Sequence, residues 1–90
     1  MRLDKYLKVS RLIKRRTVAK EICDASRIQI NGRQAKAGSD VAVGDMLLIH
    51  FGRKNIEVEI LQVAETVRAE NAHLMYRIIG ETMIDEPEMM

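Results

Sequence analysis

The sequence predicts an α+β fold: two short helices, then an antiparallel hairpin and additional strands toward the C-terminus. Three observations predict it. Apolar residues recur with a helical period through the first 25 residues, and at Ile28 the period changes to two. Asn31-Gly32 then supplies a two-residue hairpin turn, whose central positions both need positive φ.

At ~100° per residue, Leu3, Tyr6 and Leu7 fall on one side of a first helix, and Arg2, Lys5 and Lys8 on the opposite side. After Ser10 to Ile13 a second helical stretch runs to about Ala25. Val18, Ala19, Ile22, Cys23 and Ala25 form its apolar arc, while Arg16 and Lys20, four apart, share its polar edge. Ile28 and Ile30 alternate with Gln29 as a strand, and Gln34-Ala35-Lys36 reads as the return strand. Gly38-Ser39-Asp40 and Gly44-Asp45 punctuate the chain as turns, and Met46 to Phe51 is a β run. Gly52-Arg53-Lys54-Asn55 turns the chain into Ile56 to Ile60, whose strict alternation marks a strand with one face in water. Ala69 to Leu74 reads as a short helix and Met75 to Ile79 as a last strand. The expectation is a single domain over residues 1–80, with its core motif at 2–52. Residues 81–90, with Asp85-Glu86-Pro87-Glu88, read as an acidic, disordered tail with too little to bury.

Charge divides the chain as sharply as periodicity does. Residues 1–36 hold eleven Lys or Arg against three Asp or Glu, and residues 37–90 hold four against ten. The resulting +8 and −6 sum to the modest net of +2. A basic block of that density attracts polyanions, while the acidic remainder limits general stickiness. Lys14-Arg15-Arg16 stands where the second helix begins, the end at which the helix dipole already places positive charge, so each uncompensated cation costs roughly 0.3–1 kcal/mol. An unfavourable local choice points to an anionic partner. Helix N-termini offer backbone N–H groups to phosphate oxygens, and arginine adds bidentate bonds. Arg2, Lys5 and Lys8 repeat the same sign on the neighbouring helix.

Other chemistry finds little support. One cysteine, Cys23, excludes an internal disulfide and reads as a small buried filler. His50 and His73 have no metal-ligand spacing with it, and no glycine-rich loop cradles a nucleotide, so neither metal nor cofactor is expected. Glu57 and Glu59 share a strand face but have no base, nucleophile or pocket beside them, and read as solvated. Tyr6, Phe51 and Tyr76 are too few and scattered for a stacking platform, which favours shape and phosphate readout of folded RNA. No apolar run is long enough to span a bilayer or serve as a signal peptide, so a cytoplasmic protein is expected. Ninety residues leave no room for a catalytic domain beside a binding one, so a non-enzymatic protein is expected.

Arg2-Leu3-Asp4, then Arg16, Ala19, Ile22, Ile28 and Ile30 ending in Asn31-Gly32, and later Val43-Gly44-Asp45, together resemble the pattern of the S4 RNA-binding domain. The likeness covers about residues 2–52. Arg2-Leu3-Asp4-Lys5 and the run from Val9 to Thr17 resemble more closely the stand-alone bacterial S4 proteins of ribosome-associated quality control, the RqcP family, relatives of the small heat-shock S4 protein. The resemblance implies an αL-type motif, two helices packed on a small antiparallel sheet, that binds structured RNA through the helices, on large (50S) ribosomal subunits carrying a stalled peptidyl-tRNA. It implies work beside a NEMF-family factor that recruits alanyl-tRNA, so that the stalled chain receives an alanine tail. The family's arginines fall on Arg2 and Arg16, expected to contact 23S rRNA and the tRNA backbone. Lys5, Lys8, Arg11, Lys14, Arg15 and Lys20 are expected as supporting phosphate contacts, in a monomeric protein.

Two departures qualify the likeness. Many S4 domains have glycine where this chain has Ser26, a position that usually wants a left-handed backbone after a helix. The heat-shock relatives are expected to carry a basic extension where this chain is acidic, which favours quality control over recycling of large subunits with trapped peptidyl-tRNA. A small helix-turn-helix DNA-binding regulator fits the two short helices as a rival reading. A detached S4 appendage of a modifying enzyme, such as a pseudouridine synthase or a tRNA synthetase, is another.

Overall fold

The computed structural model describes residues 1–51 and 54–83, without the side chains of Arg16 and Met83. Helix α1 spans Leu3–Val9 and α2 Arg16–Asp24. Strands β1 (Ile28–Ile30) and β2 (Arg33–Gln34) form a hairpin, followed by β3 (Met46–Phe51), β4 (Lys54–Ile60), a 3-10 segment at Ala69–Met75 and β5 (Tyr76–Met83). The strands make one antiparallel sheet in the order β2-β1-β3-β4-β5. The α+β class expected from the sequence is the observed one.

Periodicity explains the core. Leu3, Tyr6 and Leu7 are fully buried on one face of α1, against Ile28, Leu47, Ile49, Val58 and Ile60 of the sheet. Alternation then leaves Glu57 exposed between two inward-facing neighbours of β4. Tyr6 is buried only because its phenol has a partner: Oη donates to the Met75 carbonyl at 2.8 Å, tying α1 to the end of the 3-10 segment. Burial raises the Tyr6 pKa well above its ordinary value.

Helix α1 is short, and its first donors go to the loop between β2 and β3. Leu3 N–H donates to Ser39 O at 2.7 Å and Asp4 N–H to Ala37 O at 3.1 Å, while Val41 N–H donates to Met1 O at 2.8 Å. The chain start is thereby pinned in extended form beside residues 37–41, which fixes where Arg2 stands.

Several local expectations are corrected. Val18 and Ala25 are exposed, because the stripe of α2 that meets the core narrows to Ala19 and Cys23 with Ile22 at its margin. The return strand is Arg33–Gln34 rather than Gln34 to Lys36. Asn31 (φ 52°) and Gly32 (φ 83°) close the turn so tightly that pairing resumes at once, with Ile30 opposite Arg33. Lys54 and Asn55 belong to β4 instead of a turn, paired with Phe51 and His50. Gly52 and Arg53 lie outside the described residues. Strand β5 continues beyond Ile79 to Met83, so Glu81 and Thr82 pair with Ile56 and Asn55 rather than beginning a tail. The remainder of the expected tail, residues 84–90, lies outside the described residues.

Candidate nucleic-acid interface

Each helix ends on a non-glycine residue in the left-handed region, and the first of these sets up a groove. After α1, Ser10 caps the helix and Arg11 takes φ 62°; its N–H donates to Lys8 O at 3.0 Å, and Ile13 N–H reaches back to Leu7 O at 3.2 Å. The Ser10 hydroxyl, buried, donates to Leu7 O at 3.3 Å, and Leu12 N–H donates to it at 3.4 Å. This knot turns the chain sharply between the helices. Lys5, Lys8, Arg11 and Lys14 then line one side of an open groove of about 420 Å³, and Glu65, Thr66 and Val67 line the other.

The eight cations singled out from the sequence are not one uniform patch. Lys5, Lys8, Arg11 and Lys14 share that groove, whereas Arg2 and Lys20 flank a second depression together with Asp4 and Thr17. Arg15 is the N-cap of α2, in extended conformation, and Arg16 is the first helical residue. No side chain caps this helix start. The expectation that Lys14-Arg15-Arg16 stands at the beginning of α2 therefore matches the helix boundary.

Arg2 and Lys5 are held by acidic partners in the fold. Arg2 grips the buried Asp4 carboxylate with a fork, Nε to Oδ1 at 3.1 Å and Nη2 to Oδ2 at 3.2 Å. That hydrogen bond and its charge raise the Arg2 pKa further. Its side chain is still 60% exposed, and two of its five N–H donors account for the fork. Asp4 thus orients the guanidinium while leaving donors toward solvent. Asp4 Oδ1 also accepts the Lys5 N–H at 2.8 Å. Lys5, expected on the open basic face, is half-buried instead, with its ammonium paired to Glu65. The Lys5 hydrogen bond and charge hold the Glu65 carboxyl below the usual carboxylate range.

Sequence reasoning did not include Glu65 in this site. The pair joins residues sixty apart in the chain, and a lone acid between Ala64 and Thr66 carries no local sign of it. Elsewhere, His50 Nδ1 lies 2.6 Å from Asn55 Oδ1, a satisfied strand histidine. Glu59 accepts from Arg77 Nη2 at 2.6 Å on the outer sheet face. Among the described residues no cluster of three or more His, Cys, Asp or Glu could hold a metal ion. No helix among them is long and apolar enough to cross a membrane.

The family model described as the S4 domain matches residues 1–47, more than half of the chain, which is the helical pair, the first hairpin and the loop leading into β3. The chain belongs to the S4 domain family. Within that family it is similar to the RQC P-site tRNA stabilizing factor of Halalkalibacterium halodurans, at 57% identity over 98% of this chain and 100% of the relative. It is more distantly similar to the heat shock protein 15 homolog of Haemophilus influenzae, at 33% identity over 86% of this chain and 60% of that protein. Among solved structures it resembles the Vibrio cholerae heat shock protein 15, described as trimeric, with a TM-score of 0.79 and 28% identity over 87% of this chain and 80% of that one.

Proposed function

We propose that this protein is a non-enzymatic RNA-binding factor of ribosome-associated quality control that stabilises tRNA on stalled large (50S) ribosomal subunits. The observation that carries the reading is likeness over the full length: a relative named as an RQC P-site tRNA stabilizing factor is matched end to end, helices and later strands alike. The geometry agrees with it. Cations converge on α1 and α2, the α2 start is uncapped by side chains, and the acidic residues of β4 face away on the outer sheet. In this reading the sheet through the end of β5 and the two helices act as one RNA-binding unit in the cytoplasm. Arg2 and Arg16 contact 23S rRNA and the tRNA backbone, and Lys5, Lys8, Arg11, Lys14, Arg15 and Lys20 support them at phosphates. A NEMF-family partner supplies alanyl-tRNA, and this chain contributes binding energy alone by holding the tRNA while the nascent chain receives its alanine tail.

Co-sedimentation with large subunits, intact ribosomes and small subunits tests this, using wild type and an Arg2→Ala, Arg16→Ala variant whose folding is checked by circular dichroism. Selective binding to large subunits, lost in the variant, supports the reading; absence of binding to every particle overturns it. Neutralising five or six phosphates gives a slope of about −4 to −5 for log affinity against log salt. The relative from Haemophilus influenzae favours a second reading, a heat-shock-type factor that recycles large subunits with trapped peptidyl-tRNA. We take the protein to act as a monomer; a solution mass of three 10.3 kDa chains, as the trimeric neighbour suggests, would correct that.

A further inference from the structure

We propose that the groove between the end of α1 and the segment around Glu65 is a site for linked phosphates, and that Glu65 stands in it as an internal substitute for one of them. The inference deepens the RNA-binding reading and rests on it for the identity of the ligand. Four cations line the groove, and a single carboxylate faces them. Glu65 engages Lys5, while among the described residues no ion pair engages Lys8, Arg11 or Lys14. The groove in the free protein is thus one charge neutralised and three in excess.

A carboxylate on an ammonium imitates one edge of a phosphate in charge and in acceptor oxygens. The Glu65 side chain is 75% exposed and that of Lys5 43%, so their pair is a weak, solvent-screened one. Tethering offsets that weakness against small ions, because the attached carboxylate has an effective concentration in the millimolar range or above. A free monoanion therefore competes poorly for Lys5. A backbone that seats one phosphate among Lys8, Arg11 and Lys14 brings its next phosphate to Lys5 with the same advantage of tethering, and displaces Glu65. The acid thus selects chains of phosphates over single anions, and it lowers affinity for both because either must displace it from Lys5.

The test measures binding of bulk tRNA and, separately, of inorganic tripolyphosphate to wild type, Glu65→Gln, Lys5→Gln and the double variant at low salt. The control is Glu57→Gln, which removes one acid from the exposed outer face of β4. Glu65→Gln is expected to tighten tRNA binding by about threefold to fivefold. The gain should collapse in the Lys5→Gln background and be absent in Glu57→Gln. No gain, a gain that persists without Lys5, or an equal gain from Glu57→Gln overturns the proposal and leaves the quality-control reading standing. Loss of tRNA binding by wild type, with the Glu65 effect intact on tripolyphosphate, would instead keep the groove and remove the RNA reading.

Discussion

The two helices end alike and for different reasons. Helix α2 closes with a Schellman motif: Ser26 takes φ 61°, its N–H donates to Cys23 O at 3.0 Å, and Arg27 N–H donates to Ile22 O at 3.1 Å. Helix α1 also places its post-cap residue in the left-handed region, Arg11 at φ 62°, but the second bond of the turn comes from Ile13 to Leu7. Both positions are ones at which glycine carries less strain, by up to ~1 kcal/mol. At Arg11 a glycine would delete a cation of the groove. At Ser26 it would delete an exposed hydroxyl that makes no hydrogen bond among the described residues, while the Ser26 carbonyl, which accepts from Gln34 Nε2 at 3.2 Å, would remain. The comparison separates strain whose relief by glycine removes a cation from the groove from strain whose relief does not.

Valine at either position gives the largest effect, since a β-branched side chain fits the left-handed region worst. Arg11→Val and Ser26→Val should each lose about 1–2 kcal/mol, and each kcal/mol lowers the melting temperature of a domain this size by roughly 4–8 °C. Thiol labelling distinguishes the two ends. Cys23 is 1% exposed and lies one turn before Ser26, so Ser26→Val should speed its reaction with a disulfide reagent under native conditions. Arg11→Val should speed it less at equal global stability. Equal acceleration would mean that the two ends open as one unit and that the contrast between them is only chemical.

Glycine sharpens the contrast in the opposite direction. Arg11→Gly should raise the melting temperature yet weaken RNA binding and make the salt slope shallower by about one, as one phosphate contact is lost. Arg11→Lys should restore much of the binding without the gain in stability. Ser26→Gly should raise the melting temperature, by up to ~1 kcal/mol in free energy, and leave RNA binding unchanged. Weaker RNA binding by Ser26→Gly would show that the α2 end also serves the ligand.

How much of this was legible in the sequence follows the range of the interactions. Helices, the β3 and β4 strands and the Asn31-Gly32 turn are written in neighbours one to four residues apart, and they fall where periodicity puts them, except that β4 begins two residues early at Lys54. The left-handed Ser26 was legible because family pattern and position after a helix coincide. Arg11 was not: Ser10-Arg11-Leu12-Ile13 contains no glycine or asparagine, and charge says nothing about φ. Strand β5 reads short because Ile79 is the extra residue of a bulge, with Ile78 opposite Val58 and Gly80 opposite Glu57, which breaks alternation where the strand continues. The cations of the site were readable as a set. Their division into a groove and a second depression, and the acid inserted into one of them, arise only when residue 65 is folded against residue 5.

Alkaline pH tests the end of α2 through its buried thiol. Burial pushes the Cys23 thiol from its ordinary 9.0 up to about 11, with Asp4 and Asp24 adding to the shift. A pKa raised in the folded state means that the unfolded chain loses its proton first. The contribution is therefore fully present below about pH 9 and is eroded as pH rises toward 11. Tyr6 acts with the same sign at still higher pH. Urea unfolding at pH 8 and pH 10.5 should show a lower midpoint at the higher pH for wild type and a smaller drop for Cys23→Ala, with both proteins kept reduced. The end of α1 exposes no comparable thiol to titration, so Arg11→Gly should keep the wild-type pH dependence on top of its raised stability. An unchanged pH dependence in Cys23→Ala would move the alkaline loss away from α2 and leave Tyr6, on the other helix, as its source.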